Sequence, residues 1–89
     1  MIDKAREFLI EMGEFLEYKN RKYGNSVNDP LQIFSKGDAD ILLRARMDDK
    51  LSRIQNADIV RKNDVIDLIG YLVWYAVQHD WIQLDDLKD

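Results

Sequence analysis

Residues 64–79 carry apolar side chains on two sides of a single helix. Val65, Leu68, Ile69, Leu72 and Ala76 recur at helical spacing on one line, and Ile66, Gly70, Val73 and Val77 on a second. A helix apolar along one stripe lies on a core; one apolar along two must be covered twice. In a chain of 89 residues that asks for a central helix, an interface between copies, or both. Size sharpens the demand, because so short a chain buries only roughly 60–65% of the surface it exposes when unfolded. Association is a common remedy, so a homo-oligomer, dimer or tetramer, is expected.

The rest of the chain reads as helix as well. Over residues 3–23, Ala5, Phe8, Leu9, Met12, Phe15, Leu16 and Tyr23 share one side, with Asp3 placed to cap the start and Gly24 to stop the end. Asp38 or Asp40 is expected to cap a second helix, about 40–56, whose inward face is Leu43, Met47, Leu51 and Ile54. Asn63 is expected as N-cap of the third, about 64–79, and Trp81–Leu87 leaves room for a short fourth. Between the first two helices, residues 24–37 hold the single proline and two of the four glycines. Val27, Leu31, Ile33 and Phe34 within that loop are expected to plug the core, and a long loop in a small domain is often functional. No stretch alternates with the period of a strand. The expected fold is all-α, a three-helix bundle forming one domain over 1–89.

Composition removes several function classes. Seventeen Asp and Glu against thirteen Lys and Arg give a net charge of −4, the wrong sign for non-specific duplex binding. No apolar run approaches the roughly 20 residues of a membrane span, and the opening MIDKAREFLIEM is not expected to be a signal peptide. Absence of cysteine removes disulfides, thiolate metal sites and thiol nucleophiles, and fits a reducing cytoplasm. Neither a G-x-x-x-x-G-K-[ST] nor a G-x-G-x-x-G element occurs, and Ser26 and Ser35 have no His and acid constellation around them.

The informative residues break the helical pattern. Lys19 lies among Phe8, Met12 and Phe15 on the apolar side of the first helix, with Asn20 at its edge. Lys50 lies among Leu43, Met47 and Ile54, flanked by Arg46 and Arg53. A buried ammonium is costly unless paired, so each lysine snorkels to water or meets an acid or a ligand. Candidate acids are Glu7, Glu11 and Glu14 on the first helix, and Asp64 and Asp67 on the third, whose line Tyr71 continues. Carboxylates converging from two helices call for a cation between them, and Mg²⁺ or Mn²⁺ suits oxygen ligands and bridges to phosphates. Each feature also has a structural reading: acids favoured at a helix start, a solvated glutamate stripe, lysines in ion pairs, and His79 placed at a helix end.

Three stretches together resemble a family. Lys19-Asn20-Arg21-Lys22-Tyr23-Gly24-Asn25-Ser26 is similar to K-N-x-x-Y-G-x-S. Arg46 to Ile54 is similar to R-x-x-D-K-x-x-R-[IL], and Asn63 to Tyr71 to an acid-x-x-D-[LI]-x-x-Y element. In that order they resemble nucleotide modification associated domain 1, a small helical family common in phages and apparently related to the MazG-like all-α nucleotide pyrophosphohydrolases. The resemblance covers roughly residues 5–77. It implies a helical nucleotide-binding domain, oligomeric, in the host cytoplasm if phage-encoded. In MazG-like enzymes acids on two helices hold Mg²⁺, and water cuts the bound triphosphate between its α and β phosphorus.

Carried over residue by residue, Asp64 and Asp67 match one acidic half. The other half, E-E-x-x-E, has no clean match: Glu11 with Glu14, or Glu14 with Glu17, supplies an E-x-x-E without the adjacent glutamate pair. The resemblance thus implies a metal set of Glu11, Glu14, Asp64 and Asp67, with Glu14 orienting the attacking water and Lys50 and Arg53 stabilising phosphate charge. Lys19, Asn20, Tyr23 and Tyr71 would contact sugar or base. The leading expectation is a Mg²⁺- or Mn²⁺-dependent dNTP or NTP pyrophosphohydrolase. Its rivals are a protein that sequesters a signalling or cyclic nucleotide without turnover, and a purely structural interaction module.

Overall fold

In a computed structural model the residues described are 1–24 and 38–89. They form three α-helices, α1 (Ile2–Tyr23), α2 (Ala39–Asn56) and α3 (Lys62–Gln78), and a 3₁₀ turn at Asp85–Leu87. No strand occurs among the described residues, so the all-helical expectation holds. Val27, Leu31, Ile33, Phe34, Ser26 and Ser35 lie outside them.

α1 ends where expected. Gly24 adopts φ 66°, a left-handed conformation that glycine enters without steric cost. At the start of α2 the choice between two aspartates falls to Asp38, whose side chain accepts from the Ile41 backbone N–H at 2.8 Å. Asn63 does not cap α3. The helix begins at Lys62, with Arg61 in extended geometry as the flanking residue, and the Arg61 carbonyl already accepts from the amides of Asp64 and Val65. Asn63 therefore lies inside the first turn.

The end of α3 explains why no further α-helix follows it. Asp80 has φ 58°. The Trp81 amide donates to the Ala76 carbonyl at 2.8 Å and the Asp80 amide to that of Val77 at 3.0 Å. This pair of bonds is a Schellman motif, which satisfies the last carbonyls and turns the chain off the helix axis. Only the short turn at Asp85–Leu87 follows.

Residues 57–61 are the short link that lets α2 and α3 form an antiparallel hairpin. Its open end is closed by His79, whose Nδ1–H donates to the Tyr75 carbonyl at 2.9 Å. His79 Nε2 lies 2.9 Å from Asp40 Oδ2 on α2. Trp81 stacks on the imidazole with ring centroids 4.5 Å apart. The lone histidine is thus a clamp between helix ends. The C-terminal half of α1 meets α3 at Gly70. A β-carbon there would stand 3.2 Å from Leu16 Cδ2, so a residue without a side chain lets the two helices approach.

Among the described residues the buried apolar side chains are Met12 and Leu43, the latter 1% exposed. Leu51, expected on the inward face of α2, is exposed. Successive helical residues are about 100° apart, and Lys50 takes the centre of that face. α3 is turned against expectation. Asp64 and Gly70 are buried and Asp67, Tyr71, Trp74 and Gln78 half-buried, whereas Val65, Leu72, Val73 and Val77 are exposed. Within one chain the helix shows its polar line inward and much of its apolar surface outward.

Gly13 offers a direct check on α1. It sits mid-helix and exposed, and a β-carbon there would meet nothing within 4 Å. Gly13→Ala is expected to stabilise the protein by about 0.5–1 kcal/mol, read as a raised Tm. A lowered Tm would show that something covers this position.

Candidate functional site

Lys50 stands at the centre of α2's inward face, where the heptad-like run Leu43, Met47, Ile54 would otherwise place carbon. Its Nζ lies 3.1 Å from Asp67 Oδ2 and 3.5 Å from Asp64 Oδ1. The side chains of Lys50 and Asp64 are 12% and 5% exposed, and that of Asp67 29%. Asp64 and Asp67, one turn apart, point the same way, so both reach one ammonium. The contact with Asp67 raises the Lys50 pKa above its ordinary 10.5, outweighing the opposing effect of burial. One ammonium and two carboxylates leave one negative charge over. Asp67 and Arg46 line the same cleft beside them, which places a guanidinium near that surplus.

The cleft opens between the end of α1 and the middle of α3, with Arg46 contributed by α2. Its volume is about 170 Å³. Polar and cationic groups come from Lys19, Asn20, Arg46 and Asp67, and ring surface from Phe15, Tyr23, Tyr71 and Trp74. Lys19 is held along α1 by its i−4 and i+4 neighbours. Its Nζ lies 5.4 Å from the ring centroids of both Phe15 and Tyr23, within cation–π range. The ammonium that broke the apolar pattern of α1 is therefore half-buried among rings and faces the cleft without a carboxylate partner among the described residues.

Of the expected residues, the structure gathers Lys19, Asn20, Tyr23 and Tyr71 around one cleft, with Asp67 at its wall. Lys50 lies behind Asp67. Arg53 pairs with Asp49 on the outer side of α2 at 3.2 Å and does not line the cleft. Glu11 and Glu14 are exposed on α1 and do not line the cleft. No group of three or more His, Cys, Asp or Glu side chains able to share a metal ion occurs among the described residues. Asp64 and Asp67 instead share the Lys50 ammonium.

Sequence reasoning passed over Arg46 and Trp74 as cleft residues. Arg46 is one turn before Lys50, and Trp74 one turn beyond Tyr71 and two beyond Asp67. That helical spacing was the available signal. No protein-family model, curated protein or solved structure matches this chain.

Removing the ammonium leaves Asp64 buried and unpaired. Lys50→Met is expected to cost roughly 3–5 kcal/mol, measured by denaturant unfolding; a loss under about 1 kcal/mol would mark the pair as an exposed one. The raised Lys50 pKa sets the pH window. Its stabilisation is complete below 10.5, the ordinary value, and is lost as pH rises through the higher folded value. The wild type is expected to lose stability there more steeply than Lys50→Met.

Proposed function

We propose that this protein binds a nucleotide in the cleft between α1 and α3, in the cytoplasm, as an assembly of its own copies. The observation that carries the reading is the joint presence of Lys19, Arg46 and Asn20 with Tyr23, Tyr71 and Trp74 around one opening. Phosphate oxygens need cationic and N–H donors, and a base needs a flat ring to stack on, worth about 1–3 kcal/mol. Lys19 and Arg46 supply the first, Tyr23, Tyr71 and Trp74 the second, and Asn20 a donor and an acceptor for a base edge or sugar. A cleft of about 170 Å³ is smaller than the roughly 300–1,000 Å³ of most ligand sites. It holds a base or a phosphate group with the remainder of the nucleotide at its open mouth.

Binding without turnover is better supported than Mg²⁺-dependent hydrolysis. Hydrolysis of the MazG-like kind asks for four carboxylates around a metal, and among the described residues Lys50 rather than a third carboxylate stands against Asp64 and Asp67. The two readings separate in solution. Calorimetry with the four dNTPs, the four NTPs and cyclic dinucleotides is run in EDTA and then in Mg²⁺, with pyrophosphate assayed in the second arm. Binding that survives EDTA, weakened about tenfold or more by Lys19→Ala and by Arg46→Ala, is the expected result. Pyrophosphate release in Mg²⁺ or Mn²⁺ would decide for hydrolysis. If no nucleotide of the panel binds in either condition, the cleft is not a nucleotide site.

A further inference from the structure

We infer that Asp67 makes the cleft selective for guanine, its carboxylate accepting the two adjacent N–H donors of that base. The inference rests on the nucleotide reading of the cleft and names the base that the cleft takes.

Asp67 is the one acid among the described residues that line the cleft, and an acid in that place needs a reason. Lys19 and Arg46 suit phosphate, and a carboxylate beside them opposes it. The pairing with Lys50 does not supply the reason alone. Lys50 already has Asp64, whose side chain is 5% exposed, and one ammonium balances one carboxylate. Asp67 is the second, and its side chain is 29% exposed. Its Oδ2 lies 3.1 Å from Lys50 Nζ, while Oδ1 has no hydrogen-bond or ion-pair partner among the described residues.

An ionised carboxylate only accepts, and its two oxygens offer about four lone-pair sites. Lys50 uses one of them and fixes the group from behind. What stays open fits a ligand edge that carries two donors side by side. Among the bases guanine alone has such an edge, where N1–H and the 2-amino group are neighbours. Adenine and cytosine set a ring-nitrogen lone pair beside their amino group, and uracil and thymine flank a single N–H with carbonyls. Each of these turns an acceptor toward the carboxylate, which loses a bond and leaves a polar group unpaired. Unpaired bases are commonly read on this edge, and bonds to an ionised acceptor are stronger than neutral ones.

The neighbouring residues agree. Tyr71 follows Asp67 by four residues and Trp74 by seven, on one line of α3, and both rings line the cleft. Four residues of helix rise about 6 Å, so a base stacked on Tyr71 has Asp67 at its edge. Asn20, contributed by α1, offers an N–H to the O6 carbonyl that stands next to N1.

Calorimetry in EDTA with GTP, ITP, ATP, CTP and UTP tests the base while sugar and phosphates stay the same. GTP is expected to bind about 10–100-fold more tightly than ATP, CTP or UTP. ITP is expected between them, because hypoxanthine keeps N1–H and lacks the 2-amino group. Asp67→Asn, with folding checked by circular dichroism, replaces one acceptor by a donor. It is expected to weaken GTP by about tenfold or more and to gain XTP, whose C2 carbonyl meets the new N–H. A merely structural partner of Lys50 would lower Tm and leave the order of bases unchanged. GTP binding no tighter than ATP or ITP overturns guanine selection and leaves nucleotide binding standing. A GTP preference that Asp67→Asn keeps overturns Asp67 as the group that reads the base. If Asp67→Asn does not fold, the wild-type order of GTP, ITP and ATP decides, since it reports two donors met by an acceptor. If none of the five binds, guanine selection falls, and the nucleotide reading falls with it only if the dNTPs and cyclic dinucleotides fail as well.

Discussion

The ion pairs between Lys50 and the carboxylates of Asp64 and Asp67 decide how the rest of the molecule is arranged. They join α2 to α3 near the short link of the hairpin, where Asp40 and His79 join the same two helices at the open end. The two clamps differ in burial. Lys50 and Asp64 are nearly enclosed, so each depends on the other to offset its lost hydration. Neither side chain would be placed there by hydrophobic packing, and a carbon side chain at position 50 would leave α3 free to turn.

Two consequences follow from that fixed rotation. Inward, the line Asp67, Gly70, Tyr71 and Trp74 becomes the wall of a cleft, and Gly70 admits α1 close enough for Lys19, Asn20 and Tyr23 to form the facing wall. Outward, Val65, Leu72 and Val73 are left facing water. The chain thus spends its own interior on charge and its apolar helix on an outer surface. Met12 and Leu43 alone among the apolar side chains of the described residues are buried.

Much of this was legible from residue spacing. The three helices, the Gly24 stop and the two lysines set among carbons could be read from the period of 3.6 alone. What escaped was the direction of each face. Asp64 and Asp67 read equally well as helix-start acids or metal ligands, because spacing along one helix does not say what stands opposite; Lys50 is on another element, and only the hairpin brings it there. Glu11 and Glu14 were grouped with the aspartates by chemistry, but both are exposed on α1 and neither lines the cleft that Asp67 walls. Asn63 has the right chemistry for a cap, yet the chain enters helical geometry before reaching it. Leu51 shows the same limit, since it is one residue from Lys50 and so a quarter-turn or more off the face that Lys50 occupies.

The dependence of the fold on this one cluster is measured most directly by a double-mutant cycle of Lys50→Met and Asp64→Asn in equilibrium unfolding. If the ammonium and the buried carboxylate hold α2 to α3, the double variant is less destabilised than the sum of the two single variants by more than about 1 kcal/mol. Additivity within about 0.3–0.5 kcal/mol would show that the two groups act independently, and the arrangement of α3 would need another cause.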